Sequence, residues 1–137
     1  MRNWIPLGAR ILLGLIYFVF GGMGLAMAAG LMTMPETPPM PEAATEFMSG
    51  MMATGYFFPL LKFTETAGGF FLLIGRGAPV ALVILAPVTL HIFLFHACLT
   101  PGAGELVLPA AMVLLQVLAM SAYWPLYRPL FGPPRSA

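Results

Sequence analysis

The chain has 137 residues, 60% of them hydrophobic and only 8% charged, with a mean hydropathy of +0.92 and a net charge of +1. An average soluble domain carries about a quarter charged residues, so this composition belongs to a membrane protein and leaves no polar stretch long enough for a separate soluble domain. The near-neutral charge gives no electrostatic basis for nucleic-acid binding, and the single cysteine, Cys98, excludes both an internal disulfide and a CxxC redox pair.

The first apolar run covers about residues 7–32, more than the roughly 20 residues a spanning helix needs. Gly14, Tyr17, Gly21, Gly24 and Ala28 recur at steps of three and four, which places them on one helical face. Small residues there let a second helix approach closely. Arg2, Arg10 and the triplet Ala26-Met27-Ala28 also fit a cleaved secretion signal. The length of the run, and the charge pattern of the later loops, favour a retained anchor.

Residues 33–55 form the one substantial polar stretch. Pro35, Pro38, Pro39 and Pro41 forbid a continuing helix. Beyond them Ala43, Phe47, Met48, Met51 and Met52 recur at helical spacing, while Glu42, Thr45, Glu46 and Ser49 face elsewhere. That pattern predicts a short amphipathic helix at the bilayer surface. Met32, Met34, Met40, Met48, Met51 and Met52 crowd this stretch. Thioethers are ligands for soft Cu(I), and equally they are flexible apolar filling for a surface helix.

A second span is expected over about residues 56–75, with Pro59 in its first turn, where a missing N–H costs little. Its polar face reads Lys62, Glu65, Gly69, Leu72, Arg76. A third span, about 79–99, contains Pro87, which should kink it and free a carbonyl one turn earlier. His91, Phe95 and Cys98 share a face, whereas His96 points about 140° away from His91, so the two histidines are not a natural ligand pair on one face. After a loop at Thr100-Pro101-Gly102-Ala103-Gly104, a fourth span, about 106–126, begins with Pro109 in its first turn. Gln116 is its strongly polar mid-span residue, and Tyr123, Trp124 and Tyr127 suit an aromatic interface belt. The expected fold is all-α: one membrane domain, a four-transmembrane-helix bundle with a short amphipathic interfacial helix in the first outer loop.

Four spans put Arg2, Arg10, Arg76, Arg128 and Arg135 on one side and Glu36, Glu42, Glu46 and Glu105 on the other. The positive-inside rule then places both termini in the cytoplasm and residues 33–55 outside. Cleavage of the first run would leave an odd number of spans and break this agreement.

Ionisable groups are expensive in hydrocarbon and mark either a functional site or an internal pairing. At about 1.5 Å per residue, Lys62 lies just inside the outer interface, with Glu65 about one turn deeper and His91 at a similar depth. The expectation is that Lys62, Glu65 and His91 converge in the outer half of the bundle, with Gln116 within reach and Tyr17 and Phe95 lining the same pocket. A purely structural network serves as well: an i,i+3 ion pair with Lys62 snorkelling outward, and His91 bonded to the carbonyl freed by Pro87. In the functional reading a buried carboxylate and a histidine relay protons to a bound quinone. His96 and Cys98 are two metal ligands without a third, and nothing marks Cys98 as a stabilised thiolate. No Rossmann glycine motif, P-loop or haem-ligand histidine pair within one span is legible.

The stretch Ala53-Thr-Gly-Tyr-Phe-Phe-Pro-Leu-Leu-Lys-Phe-Thr-Glu-Thr-Ala-Gly-Gly69 resembles the DoxX family of small bacterial membrane proteins. The likeness extends to Arg10-Ile-Leu-Leu-Gly-Leu-Ile-Tyr-Phe-Val-Phe-Gly21, Leu72-Leu-Ile-Gly-Arg76 and Leu85-Ala-Pro-Val-Thr-Leu-His-Ile-Phe-Leu-Phe-His96. It covers nearly the whole chain, and its specific parts are the Gly-Tyr…Lys…Glu…Gly-Gly and Phe-His pieces. The resemblance implies four membrane helices in the bacterial cytoplasmic membrane. It also implies an association, in some members, with thiosulfate:quinone oxidoreductase or thiol-redox complexes. The family's helix-two glutamate corresponds to Glu65, and relatives more often carry asparagine at the position of His91.

Together these features lead to an accessory, redox-associated subunit, not an enzyme on its own, that holds a quinone-like lipophile or a partner subunit in the bilayer. The alternatives are a proton-coupled transporter or exporter component for a small lipophile, and a metal-handling protein using the Met-rich loop. A second copy of the chain is a further partner compatible with these features.

Overall fold

Four long apolar segments, separated by glycine- and proline-bearing breaks, fold into four long helices in the computed structural model, which describes residues 4–133. Arg2, Arg135 and Ser136 lie outside the described residues. The helices are α1 (Trp4–Ala28), α2 (Glu42–Ala53), α3 (Phe57–Ile74), α4 (Ala78–Cys98), α5 (Ala103–Ser121) and α6 (Trp124–Tyr127), followed by a 3-10 turn at Arg128–Phe131. No strand occurs among the described residues. α1, α3, α4 and α5 are each long and apolar enough to cross a bilayer, which makes this a multi-pass membrane protein.

The four long helices form a ring in which α1 packs on α3 and α5, and α4 packs on the same two. Leu13, Tyr17, Leu72, Leu82, Leu85 and Ala119 fill the interior. Leu12, Val19, Phe63, Ile84 and Val117 point outward, as a hydrocarbon solvent permits. The closest approach is between α1 and α3. A Cβ added at Gly69 would lie 2.5 Å from the Phe18 nitrogen and 2.8 Å from the Gly14 oxygen, so backbone meets backbone there. Gly14, Tyr17, Gly21 and Gly24 are buried on this side of α1 as their spacing predicts, whereas Ala28, in the last turn, is exposed.

Helix ends differ from the expected spans for local reasons. α1 stops at Ala28, not residue 32, because Gly30 takes a left-handed φ of 76° and the chain turns back. The Leu31 and Gly30 N–H groups bond the Ala26 and Met27 carbonyls at 2.9 and 3.0 Å, which satisfies the open end of the helix. α5 starts at Ala103, three residues earlier than expected. The Gly102 carbonyl accepts the N–H groups of Glu105 and Leu106, and Glu105 sits in the first turn, where a carboxylate suits the helix dipole. Pro109 is therefore inside α5 and not in its first turn. α5 ends at Ser121, not residue 126, because Pro125 has no N–H to offer the Ser121 carbonyl and a short separate helix begins.

At the Gly75 end, Arg10 packs against Gly75 and its Nη1 donates to the Tyr123 hydroxyl at 3.3 Å. The Tyr127 hydroxyl donates to the Pro79 carbonyl at 2.8 Å. Burial, and secondarily Tyr123, hold the Tyr127 phenol above its ordinary range, so it stays a donor. Two of the three expected belt aromatics thus tie the C-terminal segment to the bundle, and exposed Trp124 stacks on Phe131. α2 lies at the opposite end, with Ala44 its buried residue and Ala43 exposed.

Candidate functional site

The glycine face of α1 and the i,i+3 spacing on α3 together build the polar part of the site. Gly24 leaves room for the Lys62 stem, which lies directly across it. Lys62 is thereby directed along its own helix, and Nζ reaches Glu65 Oε2 at 2.8 Å instead of snorkelling away. Nζ also lies 5.7 Å from the centroid of the Phe58 ring. Glu65 is 2% exposed, and among the described residues its Oε1 has no hydrogen-bonding partner.

Above this pair, between the four long helices and beneath α2, is a cavity of about 340 Å³. Glu65, Lys62, His91, His96 and Phe95 line it, with apolar groups from α1 and α5 completing the wall. An adjoining hollow of about 630 Å³ runs between α2, α3 and α4, and Glu65 and His91 line that as well. α2 forms the roof. Phe47 sits 5.3 Å from the His91 ring and 5.7 Å from the Phe95 ring, centroid to centroid, and Met48 and Met51 face the cavity beside it.

His91 does not bond the carbonyl that Pro87 frees; among the described residues it has no hydrogen-bonding partner, and its ring lies exposed against Phe47. Five residues on, His96 faces the same cavity despite its different azimuth on α4, because the cavity wraps round that end of the helix. The His96 Nδ1 lies 2.8 Å from the Ile92 carbonyl, which can only accept, so Nδ1 carries the proton of that bond. Cys98 is exposed, and among the described residues no three His, Cys, Asp or Glu side chains form a metal-binding group. The chain matches no family model, no curated protein and no solved structure.

Two expected site residues belong elsewhere. Gln116 does not reach Glu65: its Nε2 donates to the Leu82 carbonyl at 2.8 Å and its Oε1 lies 3.1 Å from Thr89 Oγ1. Tyr17 does not line the cavity: its hydroxyl is bonded to Thr89 Oγ1 at 2.6 Å. Tyr17, Thr89 and Gln116 are all buried and form a separate network at mid-depth, where every unmatched polar atom is costly. Thr89, absent from the sequence expectation, is its hub. The available signal is shared depth, since Tyr17 and Thr89 stand near the middle of their helices and Gln116 is at the middle of the span expected from sequence.

The arrangement therefore has two polar centres with different chemistry. In the Tyr17–Thr89–Gln116 network every side-chain oxygen and nitrogen already has an internal partner, and none of the three residues lines the cavity. The Lys62–Glu65 pair and the two histidines face open volume and retain an unused carboxylate oxygen. Lys62 can donate to a ligand oxygen, Glu65 Oε1 can accept from one, and the surrounding walls are apolar.

Proposed function

We propose that this chain is a DoxX-like accessory membrane subunit that holds a quinone-like lipophile beside a redox partner. The observation that carries this reading is the open cavity beneath α2, in which an apolar slot meets an unengaged oxygen of a buried carboxylate. Ligand sites combine an apolar body with a few convergent polar groups, and this one has both. Reduction of a bound quinone takes two electrons, supplied by the partner subunit, and two protons. Lys62 would orient one ring oxygen, and Glu65 with His91 would pass protons to the reduced oxygens.

The sequence resemblance to the DoxX family, through Lys62, Glu65 and the paired glycines that follow, supports a redox-linked role. The same resemblance supports a bacterial cytoplasmic membrane location, and the distribution of arginines and glutamates supports both termini inside. The test is titration of a decyl-substituted benzoquinone into the purified protein. Wild type should bind, and Glu65→Gln/His91→Ala should bind at least tenfold more weakly; equal binding by the two rejects the site.

A further inference from the structure

A third hollow, of about 260 Å³, lies outside the main cavity where three segments between residues 27 and 59 meet. Met27 enters it from the last turn of α1, Met34 from the extended stretch after α1, and Met52 from the last turn of α2. Ala28, Gly55, Phe58 and Pro59 complete the lining, so the thioethers are its soft donors and no carboxylate or imidazole reaches it. We propose that Met27, Met34 and Met52 form an all-thioether site for a soft monovalent metal ion, Cu(I).

The chemistry selects the ion. Three neutral sulfur donors supply no charge to offset the desolvation of a divalent cation, so Zn²⁺ and Cu²⁺ are disfavoured in this apolar setting. A cuprous ion carries a single charge and prefers soft sulfur ligands. Met is unbranched, with three rotatable bonds, so each of these sulfurs can adjust its position toward a bound ion. Met34 is 62% exposed, which gives an ion a route in from outside the bundle.

The wider distribution of methionine points the same way. Seven of the eleven methionines fall between positions 27 and 52, all at the α2 end of the bundle. At the opposite end the described residues carry Met120 alone, in the last turn of α5. If methionine here served only as apolar filling, Leu would do as well, and the two ends of the bundle would have no reason to differ.

The experiment is anaerobic titration of the full chain in detergent with Cu(I), against a chromophoric Cu(I) chelator. Wild type should retain one Cu(I) per chain in competition. Met27→Leu/Met34→Leu/Met52→Leu, which keeps size and apolarity, should lose at least a hundredfold in affinity. The control Met32→Leu/Met40→Leu, in the same stretch but outside the hollow, should bind as wild type. No retained copper in the wild type, or a triple variant that binds equally well, overturns the site. Should the triple variant not fold, Met34→Leu alone replaces it and must weaken binding at least tenfold. X-ray absorption of the loaded wild type should show sulfur alone around copper; a nitrogen neighbour overturns the assignment.

Discussion

The Tyr17 hydroxyl lies 2.6 Å from Thr89 Oγ1, joining α1 to α4 across the diagonal of a ring in which those helices are not neighbours. Through Thr89 the link continues to Gln116 on α5 and back to the Leu82 carbonyl on α4. Three of the four long helices thus share one hydrogen-bond network at mid-depth.

Breaking that network should weaken the fold without touching the ligand site. Tyr17→Phe and Thr89→Val should each cost about 0.5 to 2 kcal/mol, the range for interhelical hydrogen bonds in membranes. Thermal unfolding in detergent measures the loss, and binding of the benzoquinone probe should remain as in wild type. A large loss of probe binding by folded Tyr17→Phe would place this network in the site after all.

Removing one member of the ion pair leaves the other uncompensated. Glu65→Ala should destabilise the protein by about 1 to 3 kcal/mol or more through the stranded Lys62 ammonium. Lys62→Met/Glu65→Leu should recover most of that stability, since an apolar pair can replace a buried ionic one. The double variant should still fail to bind the probe. Stability restored together with binding would make the pair purely structural.

The α1–α3 contact gives a sharper test because backbone faces backbone. Gly69→Ala should cost about 1 to 3 kcal/mol by forcing the helices apart. A Cβ at Gly22 meets nothing within 4 Å, so Gly22→Ala should be neutral or stabilising by up to about 1 kcal/mol. Equal stabilities for the two variants would mean that the helices do not approach so closely.

Orientation is tested by labelling in whole cells, in a Cys98→Ser background. An impermeant thiol reagent should modify a cysteine placed at Ser49, and should reach one placed at Arg128 only after permeabilisation. The reverse pattern would invert the topology.

These outcomes separate what the sequence makes legible from what only packing decides. The four spans and the α2 helix follow from apolar length and spacing, which are properties of each segment alone. The Lys62–Glu65 pair is legible for the same reason, since i,i+3 neighbours on a helix meet whatever surrounds them. Gln116 and Tyr17 are different. Their faces can be read from helical periodicity, but which helix each face meets depends on rotations that no single segment encodes. Thr89 hides for another reason: a threonine in an apolar span can bond its own Leu85 carbonyl, so nothing signals that it also serves two other helices.

Because Lys62 and Glu65 are one turn apart on α3, they are within reach of each other before any other helix is in place, and packing on Gly24 later fixes the pair. A nascent chain entering the membrane carries this charge pair closed within a single helix, before α4 and α5 have been synthesised. An isolated charge at the centre of a helix costs about 2.5 to 3.5 kcal/mol at the insertion step, and a partner one turn away lowers that cost when it matters. A lone carboxylate waiting for a partner from α4 would meet the insertion machinery bare. The spacing that leaves a polar group in the finished cavity is thus also the spacing that lets α3 pass as an ordinary membrane helix during biogenesis.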